Sequence, residues 1–226
     1  LEFRRVLFRS SKRNKNGGIK MERLYVNKKF GTRQLVVIGM LSGISMFMGL
    51  TGFGMIPTPW MKITIQHLPV IIGAIIEGPI VGASIGFIFG IFSIYQNITA
   101  PTPMSPFFYN PIISILPRVL IGVISYYVYR ILKRKLKNKK LSIGIAAICG
   151  SLTNTIGVLG SIYLIYFKDY ASILIENGTI SVGSRSTVTV ALLSIIGTNG
   201  MAEAALSALV AIPVIIAIFK MQKRNS

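Results

Sequence analysis

The sequence has one cysteine, one histidine, one tryptophan and six acidic residues among 226. Each scarcity removes a class of function. Cys149 stands alone, which rules out an intramolecular disulfide and a multi-cysteine metal site. It lies in an apolar run, where a small core residue is the plain reading. His67 is the single histidine, so no HExxH zinc-protease motif exists. No GxxxxGK[ST] occurs either, and the chain therefore binds no nucleotide through a P-loop. Charge of any sign is sparse. Only 14% of residues are charged and 52% are hydrophobic, whereas a soluble domain carries roughly a quarter charged residues. The deficit is concentrated in long uncharged runs, and the chain is expected to insert into a lipid bilayer.

The charge that is present is lopsided, with 25 Lys and Arg against the 6 acids. Such a balance can mark nucleic-acid binding. Here the basic residues stand in short clusters between apolar runs, the pattern that membrane topology produces. No basic, aromatic-interleaved face is left to follow a phosphate backbone, and a nucleic-acid partner is not expected. Residues 1–20 are basic and aperiodic, and they precede Met21, which opens a sensible membrane protein. They read as a non-native leader, a cloning or assembly artefact, with 21–226 as a single six-helix membrane domain.

Apolar runs predict the helices. The first covers about Gln34 to Leu50 and a Gly/Pro/Thr-rich loop follows to Gln66, holding Trp60 and Met61. The run from Leu68 to Gln96 is too long for one span and breaks at Glu77-Gly78-Pro79, because proline suits the first turn of a new helix. Two helices are expected there, at 67–77 and 79–96, the former short and tilted or partly interfacial. After a Pro-rich loop at 97–106, further helices are expected at about 107–132, 141–167 and 187–219, with a loop at 168–186. The fold class is thus all-α and polytopic, with six transmembrane helices. Arg23, Lys28, Lys29 and Arg33 precede the first helix, seven basic residues lie between Arg130 and Lys140, and Lys220, Lys223 and Arg224 end the chain. The positive-inside rule then puts both termini in the cytoplasm and the loops after helices one, three and five outside.

Ionisable groups within hydrocarbon are costly and mark sites. Arg118, after Pro117 in helix four, and Glu203 in helix six are the two such groups. Two readings stay open. Arg118 binds a substrate carboxylate, which a guanidinium can grip in bidentate fashion, or it forms a buried ion pair with Glu203 that orders the bundle. Asn110 opens helix four beside Pro111. Thr153-Asn154-Thr155 is expected to interrupt helix five, and Thr198-Asn199-Gly200 helix six. Each group could serve interhelical hydrogen bonding alone, but several at one depth beside an arginine point to a polar cavity. Pro111, Pro117 and Pro213 should free backbone carbonyls, as broken helices do at transporter sites. Gly82, Gly86 and Gly90 form a flat stripe suited to packing within the chain, while Gly39 and Gly43 on helix one suit either internal packing or another subunit. Gly82-Ala83-Ser84-Ile85-Gly86 matches a nucleophile elbow but follows no strand. Ser84 and His67 are expected at opposite membrane faces, so no catalytic pair and no enzyme is expected.

The chain resembles the substrate-binding S components of energy-coupling factor (ECF) vitamin transporters from about Arg33 to Phe219. The carriers are Ile63-Thr64-Ile65-Gln66-His67-Leu68-Pro69 running into Glu77-Gly78-Pro79, Asn110-Pro111 with Leu116-Pro117-Arg118, Thr153-Asn154-Thr155 with Val158-Leu159-Gly160, and Asn199-Gly200-Met201-Ala202-Glu203. It looks most like the pantothenate-type group. The resemblance implies six helices in a bacterial cytoplasmic membrane and a vitamin bound near the outer face. Trp60, His67, Asn110, Arg118, Asn154, Asn199 and Glu203 are the substrate-binding candidates. It also implies a transmembrane coupling protein, docking at Gly39 and Gly43 where family members often have alanines, and two ATPase subunits. No cofactor is implied. Folate, riboflavin, biotin, niacin or lipoate as substrate, and a stand-alone secondary transporter of a small anionic solute, are the alternatives.

Overall fold

The computed structural model describes residues 11–13, 19–21, 31–57, 62–102, 104–136, 138–176 and 185–224; Trp60 lies outside them. The chain divides into two compact units, residues 1–32 and 33–226. In the first, β1 (Ser11–Arg13) pairs antiparallel with β2 (Ile19–Met21). The second holds the helices, beginning with α1 (Thr32–Thr51), and a small ribbon of β3 (Met55–Pro57) and β4 (Lys62–Thr64) in register Met55↔Thr64. The expected loop at 51–66 therefore contains a hairpin. Next come α2 (Leu68–Glu77), α3 (Pro79–Thr99) and the single turn α4 (Ser105–Phe108). The remaining helices are α5 (Pro111–Lys135), α6 (Lys139–Ile165), α7 (Phe167–Glu176), α8 (Arg185–Ile195) and α9 (Met201–Arg224), with a π-helical segment at Ile196–Gly200 between the last two.

Among the described residues five helical stretches are long and apolar enough to cross a membrane: α1, α3, α5, α6 and the continuous 185–224. The helix expected second is different in kind. α2 has ten residues, or about 15 Å, half the hydrocarbon thickness. It is enclosed by the other helices. Leu68 through Ile75 are all buried, because a helix apolar on every side is stable only when other helices surround it. Ile71, Ile72 and Ile75 form the core with Val81, Ile85, Phe89, Ile121, Ile143, Ala147, Ala211 and Ile215 from α3, α5, α6 and α9. The chain turns from α2 into α3 at Gly78, whose φ of 107° lies where a side chain would be strained.

α3 packs on α5 through the glycine stripe, as its spacing predicts. A Cβ on Gly82 would meet Ala74 and the Gly122 backbone, one on Gly86 would overlap the backbone of Arg118, and one on Gly90 would meet Ser114 and Ile115. The two backbones thus touch where Arg118 departs from α5. Gly39 and Gly43 behave oppositely. Both are exposed, and a Cβ on either would meet nothing within 4 Å.

Three element boundaries differ from expectation. The helix expected from Phe107 starts at Pro111 instead, since the prolines at 106 and 111 each suit a first helical turn and divide the stretch into α4 and α5. Arg118 consequently sits eight residues into α5, one turn nearer its start. The Thr153-Asn154-Thr155 run does not interrupt α6, because Thr153 and Thr155 donate to the carbonyls of Cys149 (2.7 Å) and Ser151 (3.4 Å) one turn back. The stretch expected as a loop from 168 begins with α7. Its Phe167, Tyr170, Ala171 and Leu174 pack against Phe107, Val158, Ile162, Val188 and Leu192 in a second core.

Gly86→Ala should destabilise the protein by about 1–3 kcal/mol, the cost of overpacking a close helix crossing. Gly39→Ala should change stability by no more than about 0.5 kcal/mol, as a surface substitution does. Thermal melting of detergent-purified variants measures both, and equal melting of the two would contradict this packing.

Candidate functional site: a polar cavity at the N-terminal end of α2

Because α2 reaches only half-way through the bundle, space remains beyond its first residue. A cavity of about 600 Å³ fills it. Thr64, Gln66 and His67, leading into α2, form one wall. Phe89, Ser93, Gln96 and Asn97 from one face of α3, Phe108 and Arg118 around α5, Asn154 on α6 and Asn199 on the π-helical segment form most of the rest, with Ala100, Thr102 and Met104 after α3. The N-terminal end of a helix carries partial positive charge. His67 occupies the N-cap position of α2 without a side-chain cap bond, and Pro lies in the first turn.

Arg118 is 6% exposed. Its neighbour Pro117 lacks an N–H and leaves the carbonyl of Ile113, four residues back, without its helical donor. Arg118 supplies one: Nη1 donates to Ile113 O at 2.7 Å, while Nη2 lies 3.4 Å from Ser93 Oγ. The guanidinium carbon sits 5.3 Å from the centre of the Phe108 ring and 5.8 Å from that of Phe89. No carboxylate pairs with it among the described residues, and its Nε has no hydrogen-bond partner there. The cation is positioned by its own helix and two aromatic faces, yet its charge is uncompensated.

Glu203 does not form the ion pair with Arg118. Its Oε1 accepts from the Thr64 backbone N–H at 2.8 Å and the Thr64 hydroxyl at 2.7 Å, and its Oε2 from Thr155 at 3.3 Å. This carboxylate ties the end of β4 to α6 and α9 and lies behind the wall that Thr64 forms. Asn110 likewise stays out of the cavity. Its side chain caps α5, accepting from Ile112 N at 3.0 Å, and its amide lies 3.5 Å from the Tyr166 hydroxyl. Of the sequence candidates, His67, Arg118, Asn154 and Asn199 line the cavity together. The π-helical segment is the interruption expected at Thr198-Asn199-Gly200, and it carries Asn199 to the wall.

His67 is 1% exposed, and its Nε2 lies 2.9 Å from Ser207 Oγ. Its serine neighbour is therefore Ser207; Ser84 back-bonds to Ile80 O at 2.9 Å. His67 Nδ1, Gln66 Nε2 and Asn154 Oδ1 are buried without partners among the described residues. Unpaired polar atoms in an interior are costly, and finding them in four lining residues, Arg118 included, means the cavity holds unmet hydrogen-bonding capacity of both kinds. Gln66 donates through its amide nitrogen, Asn154 accepts through its oxygen, and Arg118 adds charge. Gln66, Ser93, Gln96 and Asn97 were not among the sequence candidates. The signal was present for the last three, which recur with Phe89 at helical spacing on one face of an otherwise apolar helix.

The model of the family described as "ECF transporter, substrate-specific component" matches residues 33–215. The chain belongs to that family. The S-component match covers the whole helical unit up to the last turns of α9. The chain is also 38% identical over 120 residues to the pantothenic acid transporter PanT of Lactococcus lactis subsp. cremoris, an alignment covering 47% of this chain and 59% of that protein. Shared regions thus span somewhat over half the length of this relative. Family and relative both point to a transporter rather than an enzyme, and with the apolar helices they make this S component a multi-pass membrane protein.

Replacing Glu203 by Ala would strand the Thr64 donors, and the loss of hydrogen bonds to a charged acceptor should cost about 2–3 kcal/mol. Glu203→Gln retains a carbonyl acceptor and should lose less than half of that. Melting temperatures decide; an unshifted Glu203→Ala would remove this carboxylate from the ribbon's support.

Proposed function

We propose that this chain is the substrate-specific subunit of an ATP-driven uptake transporter in a bacterial cytoplasmic membrane, and that it captures the vitamin pantothenate at the outer face. The observation that carries the proposal is the uncompensated Arg118 guanidinium in a cavity whose other walls offer unpaired amide donors and acceptors. Pantothenate presents a carboxylate, an amide and hydroxyls, and these match a cation, Asn154 and Gln66 in kind. The positive end of α2 adds to the attraction for an anion. The likeness to a pantothenic acid transporter supports the same substrate.

Mechanistically, the vitamin displaces water from the cavity, its carboxylate takes the open face of Arg118, and its polar chain satisfies the buried amides. Binding gives these groups partners in the ligand in place of water, with the charge-assisted bonds at Arg118 the strongest of them. In this arrangement the chain crosses the membrane six times with both termini cytoplasmic, a reading supported by Lys133, Lys139, Lys140, Lys220 and Lys223, which gather around one cleft away from the cavity. The sequence has no P-loop, and uphill transport requires partners: a transmembrane coupling protein and two ATPase subunits. The coupling protein docks on α1, where Gly39 and Gly43 present a flat, unpacked face between exposed Val36, Met40 and Phe47.

Small molecules released by denaturing the detergent-purified protein should contain pantothenate in about one-to-one ratio with the chain, the retention expected of a tight binder. Arg118→Ala should release none while keeping its helical circular dichroism. Recovery of a different vitamin, or full retention by Arg118→Ala, would overturn the substrate reading. Gly43→Leu should block co-purification with the coupling protein while leaving pantothenate retention unchanged. Loss of both together would refute a docking role for α1.

A further inference from the structure

The opposite end of the bundle holds a second cleft, of about 620 Å³, between the last turns of α5 and α9 and the first turn of α6. Its floor is apolar. Ile143 is fully buried there, Ile216 adjoins it, and the rings of Tyr129 and Phe219 stack at 6.5 Å. Its rim is cationic, with Lys133, Lys139, Lys140, Lys220 and Lys223 around it and no carboxylate among the lining residues. Lys133 Nζ stands 5.7 Å from the Tyr129 ring centre.

Two features make this more than a basic surface. Lys133 and Lys223 lie in the last turns of their helices, where cations suit the helix dipole. Lys139 and Lys140 instead open α6, whose first turn holds no acid and whose N-terminal end is already positive. Unfavourable charge is thereby concentrated beside an apolar floor. A free aqueous anion would satisfy the lysines and leave the floor unused. A hydrocarbon chain alone would do the reverse. A molecule with a phosphate head and acyl chains satisfies both, and helix ends of a membrane bundle lie at the depth of lipid headgroups.

We infer that this cleft is a binding site for one anionic phospholipid, its phosphate held by Lys139, Lys140 and Lys220 and an acyl chain lying over Ile216 and Phe219. The inference rests on the membrane embedding and is independent of which vitamin the other cavity takes. Lipid occupancy would hold together the ends of α5, α6 and α9.

Native mass spectrometry of the full chain from mixed micelles of phosphatidylglycerol and phosphatidylcholine tests it. One phosphatidylglycerol per chain should survive, and its preference over phosphatidylcholine should fall about tenfold or more in the Lys139→Gln, Lys140→Gln, Lys220→Gln triple variant. The matching Lys→Arg triple variant should keep the lipid. Equal retention of both lipids, undiminished phosphatidylglycerol on the Gln variant, or displacement of the lipid by millimolar inorganic phosphate would overturn the site. Should the triple variant fail to fold, the melting temperature of the unaltered protein decides instead. It should rise with added phosphatidylglycerol and not with phosphatidylcholine, and an equal rise with both would overturn the site. Counting lipid rather than vitamin keeps this result separate from the substrate assignment.

Discussion

A buried arginine that pairs with no carboxylate among the described residues sets the terms for the rest of this structure. Removing a cation from water is costly unless hydrogen bonds and opposite charge replace hydration. At Arg118 the protein supplies only part of that replacement. Pro117 frees the Ile113 carbonyl, Arg118 takes it, and two aromatic faces flank the guanidinium. Gly86 lets α3 approach the backbone of Arg118 itself, which brings Phe89 and Ser93 against the side chain. The missing component is negative charge, and on the proposed function an anionic ligand supplies it.

The acid that could have neutralised Arg118 is engaged elsewhere. Glu203 holds Thr64 at the end of β4 and reaches Thr155 on α6. Had the two ionised groups met, the cavity would be electrically satisfied when empty and would have little reason to prefer an anion. Keeping them apart separates tasks, with Glu203 bonded to Thr64 and Arg118 lining the cavity. The short α2 completes the arrangement, because a helix spanning the full depth would fill the cavity.

Much of this was legible in the sequence, for identifiable reasons. Long uncharged runs set the helices, Glu77-Gly78-Pro79 marked the α2–α3 turn, and the four-residue glycine spacing on α3 announced its close packing. The proline before Arg118 signalled a freed carbonyl. Other features depended on information that one-dimensional patterns hold weakly. The burial of α2 was missed because uniform apolarity fits either a core helix or an interfacial one until its neighbours are known. α7 was missed although Phe167, Tyr170, Ala171 and Leu174 follow helical spacing, because its charged start resembles a loop. Thr153-Asn154-Thr155 looked disruptive, yet threonine hydroxyls satisfied by the preceding turn leave a helix intact. Asn110 had the polarity of a ligand contact, but its place before Pro111 is that of a cap. Whether Glu203 would pair with Arg118 was open in sequence, and its bonds to Thr64 were not foreseen, since both residues lie far from it along the chain.

Recognition of a carboxylate by Arg118 is measured directly by a thermodynamic cycle. Binding of pantothenate and of its alcohol analogue, in which a CH2OH group replaces the carboxylate, is titrated calorimetrically into the native protein and into Arg118→Gln. Native protein should prefer pantothenate strongly and the variant should lose this preference, with a coupling of at least about 2 kcal/mol, as for other buried charged pairs. Equal weakening of both ligands by the substitution would contradict that role, because Arg118 would then be supporting the bundle rather than binding the vitamin's charge.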